Sequence, residues 1–137
     1  MKTHDLQGVF LPVPAETAFR FIADPANSTK WAHAFKSVDG DTALLRTPGG
    51  EVRIGLEVRA DGERGTVDWR MTFPDGTEAW AYSRIVPLNV ETCVYTFVLT
   101  PPPVPLEQLE GTLETQSKQL CEELATLRDI LAQVSVT

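Results

Sequence analysis

The sequence predicts an α+β domain in which an antiparallel sheet is covered on one face by a long C-terminal helix. Two observations carry this. Turn signals recur every 10–14 residues between 35 and 100, at Asp39-Gly40, Gly49-Gly50, Asp61-Gly62, Asp75-Gly76 and Leu88-Asn89, with alternating runs between them that read as a meander of hairpins. From the end of the proline cluster at 100–108 onward, Leu106, Leu109, Leu113, Leu120, Leu124, Leu127 and Leu131 stand at steps of three and four with one gap, the stripe of an amphipathic helix.

Taken in order, residues 6–12 read as a first strand. Residues 14–24 follow as a short helix, with Pro14 suited to its first turn and Ala15, Ala18, Phe19 and Ile22 on one face. Asp24-Pro25 is a stop and restart: the aspartate caps and the proline opens a second short helix that runs to about Trp31. Six strands occupy 35–100, and the last helix runs from Val104 to about Gln133. The expected order is β-α-α-β-β-β-β-β-β-α, in one domain over 1–137.

Composition narrows the function. The chain has 137 residues, 42% of them hydrophobic, a net charge of −7 and a pI of about 4.7. That length can bury a core without disulfide staples. Lys and Arg are scattered among acids rather than gathered in a stripe, which argues against nucleic acid. No apolar run reaches the roughly 20 residues of a membrane span. The N-terminus lacks a signal-peptide core, so a cytoplasmic setting with Cys93 and Cys121 as thiols is expected. Neither cysteine has a second cysteine or a histidine at metal-ligand spacing, and no phosphate loop, acid pair or Ser/His/Asp motif is visible. No metal or cofactor is expected, and no catalytic residue is assigned.

Counting back from two-residue turns sets the faces of the sheet. Asp75-Gly76 places Met71 opposite Trp80, Trp69 opposite Tyr82, and Val67 opposite Arg84. Leu88-Asn89 then places Tyr82 opposite Tyr95 and Trp80 opposite Phe97. The expected covered face therefore holds Leu45, Val52, Ile54, Leu56, Val67, Trp69, Met71, Phe73, Trp80, Tyr82, Tyr95, Phe97 and Leu99, with Arg84 beside them. The other face is left polar or small, including Ala79, Ala81 and Ser83. Lys36 falls on the inner face unless a bulge intervenes. In the helix, Gln116 and Ser117 interrupt the leucine stripe, which implies water, a ligand or a polar partner at that turn. Arg84 is read two ways: as a partner in an ion pair, or as an anchor for an acidic ligand group.

Three stretches carry a family resemblance: "VPAETAFRFIADPANSTKWA" (13–32), "SRIVP" (83–87) and the closing "CEELATLRDIL" (121–131). In these the chain resembles the START-like, or SRPBCC, superfamily with its helix-grip fold, and within it the polyketide cyclase/dehydrase-like proteins. The resemblance implies a curved sheet wrapped round the C-terminal helix with a cavity between them. It implies a small hydrophobic or amphipathic ligand there, such as a lipid, quinone or polyketide. The residues expected to bind it are Trp31, Trp69, Met71, Trp80, Tyr82, Arg84, Tyr95, Phe97, Gln116, Leu120 and Leu124. Two other functions stay open: a cyclase or dehydratase using the same cavity, and a protein-interaction module of the chaperone-activator kind, which the polar outer face discourages. A dimer is neither selected nor excluded.

Overall fold

The computed structural model of the protein describes residues 3–47, 50–100 and 106–136. Gly49 of one expected turn and the proline run at 101–105 lie outside the described residues. The elements are β1 (Asp5–Leu11), α1 (Ala15–Ile22), a 3-10 turn (Pro25–Asn27), α2 (Ser28–Trp31), β2 (Phe35–Asp39), β3 (Thr42–Thr47), β4 (Gly50–Asp61), β5 (Thr66–Thr72), β6 (Glu78–Pro87), β7 (Cys93–Leu99) and α3 (Leu106–Val136). This is the expected order. The strands form one curved antiparallel sheet in the order β1-β7-β6-β5-β4-β3-β2. It is the helix-grip architecture.

The restart at Asp24 forms as its residue types dictate. The Asp24 carboxylate accepts from the Ala26 N–H at 3.0 Å, and Pro25 opens the 3-10 turn that leads into α2. Ala18 and Ile22 of α1 and Trp31 of α2 enter the core. From α3, Leu120, Leu124, Leu127 and Leu131 join them, each 3% exposed or less. The tight β4–β5 connection depends on Gly65. Its φ is +72°, and a Cβ there would stand 2.6 Å from the Ile85 carbonyl oxygen.

The β2 difficulty resolves as a bulge. The register shifts between Phe35, opposite Leu45, and Ser37, opposite Leu44. Phe35 and Val38, three apart, therefore both pack on the core, while Lys36 turns outward to Glu51 at 2.8 Å.

The register of β6 differs from the expectation. Trp69 pairs with Ala81 and Met71 with Ala79, not with Tyr82 and Trp80. The cause is loop length. Phe73 N–H donates to Thr77 O and Gly76 N–H to Phe73 O, both at 2.9 Å, so Pro74-Asp75-Gly76 is a three-residue loop with Gly76 at φ +89°. One extra residue turns every side chain of β6 to the opposite face. The β6–β7 loop is also one residue longer than expected: Leu88 N–H donates to Thr92 O at 3.0 Å, leaving Asn89, Val90 and Glu91 in the loop. The two slips cancel at β7, and Tyr95 and Phe97 face inward as expected. Shifts at β3–β4 and β4–β5 are by even numbers and leave faces unchanged.

Candidate functional site

The inner face of the sheet gathers four aromatic rings. Trp31, at the end of α2, meets Trp69 edge-on at 6.2 Å and Tyr95 at 6.1 Å between centroids. Phe97 stacks on Trp69 at 5.7 Å and meets Tyr95 edge-on at 6.3 Å. Trp69 is on β5 and Phe97 on β7, with β6 between them. They touch because β6 presents only Ala81 and Ser83 there. Large rings on alternate strands thus lean over small residues on the middle one. An inward Trp80 or Tyr82 would overfill this space.

Several polar atoms are sealed into the same region. Ser28 is 1% exposed, Trp31 2% and Tyr95 0%, and Ser28 Oγ, Trp31 Nε1 and the Tyr95 hydroxyl each lack a hydrogen-bond partner. Ser83 Oγ lies near that hydroxyl and gives its proton to the Val67 carbonyl at 2.5 Å, and no well-formed hydrogen bond joins the two hydroxyls. Burial pushes the Tyr95 phenol well above its usual range; the Ser83 hydroxyl works against this, and the Asp68 and Glu123 carboxylates add to it. A sealed, unpaired polar group costs about 1–3 kcal/mol.

Glu123 is, with Asp5, one of two buried acidic groups among the described residues. It follows Leu120 by three residues and precedes Leu127 by four, so it lies on the leucine stripe of α3 and is 8% exposed. Its Oε2 accepts from the Ala34 N–H at 3.0 Å, tying α3 to the segment between α2 and β2. Burial pushes its carboxyl up to about 7, with Glu122 contributing, against the backbone N–H groups of Ala34 and His33. Sequence reasoning passed over this residue. The available signal was a carboxylate at a stripe position.

Of the expected binding residues, Trp31, Trp69, Tyr95, Phe97, Leu120 and Leu124 come together in the core, with Met71 packed against it. Gln116 is half-buried. The break in the leucine stripe has a polar partner: Ser117 Oγ donates to Asp5 Oδ2 at 2.7 Å, and Gln7 Nε2 donates to the Ser117 carbonyl at 2.8 Å.

Trp80, Tyr82 and Arg84 lie on the opposite, outer face, for the loop-length reason given above. Trp80 and Tyr82 stack there at 5.9 Å, with the guanidinium of Arg59 over Trp80 at 5.0 Å and that of Arg70 at 5.9 Å. Arg70 also pairs with Glu57 and Glu78, and Arg59 with Glu57. Arg59 holds the Glu57 carboxyl below its usual range, and Arg70 does the same for Glu78. Arg84 is exposed and donates from Nε to the Arg64 carbonyl at 3.3 Å. Neither reading of Arg84 matches this geometry: it is not on the interior face, and its acceptor is a backbone oxygen. The outer face is also less polar than expected, since Leu6 (66% exposed), Phe10 (49%), Tyr82 (41%) and Val86 (38%) all lie on it. An open groove of about 530 Å³ beside Arg70, Gly55 and Asp41 includes none of the aromatic cluster.

The family model described as polyketide cyclase / dehydrase and lipid transport matches residues 7–117. The chain belongs to this family. Three solved structures share its fold. XoxI from Bacillus cereus is 13% identical, with a TM-score of 0.71 over 98% of this chain and 99% of that one. A START superfamily protein from Mycobacterium smegmatis is 16% identical, with a TM-score of 0.65 over 93% and 98%. The Zhui aromatase/cyclase from Streptomyces sp. R1128 is 14% identical, with a TM-score of 0.60 over 96% and 93%. No curated protein matches the sequence. For this member of the polyketide cyclase / dehydrase and lipid transport family, no helix among the described residues is long and apolar enough to cross a membrane.

Proposed function

We propose that the protein binds a small hydrophobic or amphipathic molecule between the inner sheet face and α3, against Trp31, Trp69, Tyr95 and Phe97. The observation that carries this reading is the aromatic cluster itself, whose Trp31 and Tyr95 tips are buried without hydrogen-bond partners. Apolar walls with a few placed polar groups are the usual make-up of a ligand site. Membership of a family described by cyclisation, dehydration and lipid transport supports the same reading. The test is calorimetric titration against lipids, quinones and aromatic polyketides. At least one class binds saturably, and Trp69→Leu weakens it by roughly tenfold while Trp80→Leu, on the outer face, does not. Absence of binding across the panel, or equal loss from both variants, would defeat the reading.

A second reading, a cyclase or dehydratase in the same interior, is favoured by Glu123. A buried carboxyl pushed up to about 7 can both take and give a proton near neutral pH. On this reading Glu123→Gln retains binding and loses turnover of a polyketide-like substrate. Full turnover in that variant removes the enzyme reading and leaves the carrier.

A further inference from the structure

Resting on the binding reading above, we infer that this interior selects an uncharged molecule that presents a hydrogen-bond-accepting oxygen to α2, and discriminates against the matching carboxylate. Two independent sets of residues point the same way, one by what they offer and one by what they withhold.

All three offered groups can donate, and one of them can do nothing else. An indole N–H donates and cannot accept, so the sealed Trp31 Nε1 can be satisfied only by an acceptor. Ser28 lies one helical turn before it in α2, and the Tyr95 ring meets the Trp31 ring, so the three unpartnered groups belong to one packed neighbourhood. Their atoms are closed to water, and a ligand oxygen that reaches them relieves a penalty the folded chain already carries. A carbonyl, quinone or ether oxygen has the required character. A pure hydrocarbon does not.

What the interior withholds is positive charge. Eleven of the chain's lysines and arginines fall among the described residues, and ten of these are exposed. The other, Arg70, is half-exposed on the outer face and engaged by Glu57 and Glu78. Lys2 lies outside the described residues. The buried charged side chains among the described residues are Asp5 and Glu123, both acidic. An anion carried to the Trp31–Tyr95 neighbourhood would lose its hydration, find no cation there, and face the Glu123 carboxylate. Arg84, whose inward placement would have suited an acidic ligand, is on the other side of the sheet.

Three naphthalenes of nearly equal size separate these contributions: 2-acetylnaphthalene (neutral, acceptor), 2-ethylnaphthalene (neutral, no acceptor) and 2-naphthoate (anion). Each displaces Nile red, a neutral fluorescent probe, from the full chain at pH 8. The ketone is expected to compete about tenfold more strongly than the hydrocarbon and by a larger factor than the anion. Tyr95→Phe and Trp31→Phe should each shrink the ketone's advantage over the hydrocarbon. Glu123→Gln should narrow the gap between ketone and anion, a change that mere loosening of the fold does not produce. Nile red bound but displaced equally by all three, or best by naphthoate, or by none, overturns the selectivity while leaving the binding reading intact. Failure of Nile red to bind at all, together with a blank panel, overturns the binding reading itself.

Discussion

Glu123 is a buried carboxyl whose burial makes the stability of the fold depend on pH. Its folded value is pushed up to about 7 from an ordinary 4.5, so the folded chain holds this proton more tightly than the unfolded chain does. The resulting stabilisation is complete below about pH 4.5, declines between there and about pH 7, and is absent above. A shift of this size corresponds to roughly 3 kcal/mol. Glu123→Gln keeps an oxygen for the Ala34 N–H and removes the charge. Urea denaturation should find the variant more stable than wild type at pH 8 by up to about 3 kcal/mol and little changed at pH 4.5. Parallel pH profiles for the two proteins would show that Glu123 is ionised in the fold at neutral pH.

At the scale of elements, β6 is the strand whose two faces were exchanged in the sequence reading. A dipeptide such as Asp75-Gly76 marks a turn without saying how many residues the turn contains, and one residue decides which face is buried. The alternation along β6 gave no correction, because Trp80 and Tyr82 look more like core residues than Ala81 and Ser83 do. Only the bulk of Trp69 on β5 and Phe97 on β7 shows why the strand between them turns its small residues inward. The register is directly testable. Ala81→Asp puts a charge among Trp69 and its neighbours and should abolish cooperative unfolding, whereas Tyr82→Asp, 41% exposed in wild type, should cost about 1 kcal/mol or less. Equal damage from the two substitutions would contradict the pairing of Trp69 with Ala81.

Across the whole molecule, the first strand is tied to the last strand and to the last helix. β1 pairs with β7, and Gln7 reaches Ser117, 110 residues away, beside the buried Asp5. Such long-range closure predicts folding in milliseconds to seconds rather than microseconds, which stopped-flow refolding would measure. It also predicts coupling between β1 and α3. Gln7→Ala and Ser117→Ala should each cost about 1 kcal/mol, and the double mutant should depart from their sum, since both side chains bond Asp5 Oδ2. Strict additivity would mean that the two residues act apart.

By itself the sequence determined the element order, the capped restart at Asp24-Pro25, the leucine face of α3 at Leu120, Leu124, Leu127 and Leu131, and the inward faces of β3, β4, β5 and β7. These follow from local periodicity and capping chemistry, which the chain carries within a few residues of each site. The tertiary structure alone decided the face of β6, the burial of Glu123, the polar partner of Ser117 and the exclusion of Arg84 from the interior. Each of those depends on what lies across the sheet or beneath the helix, where neighbours distant in sequence determine the volume available and the charge that can be buried.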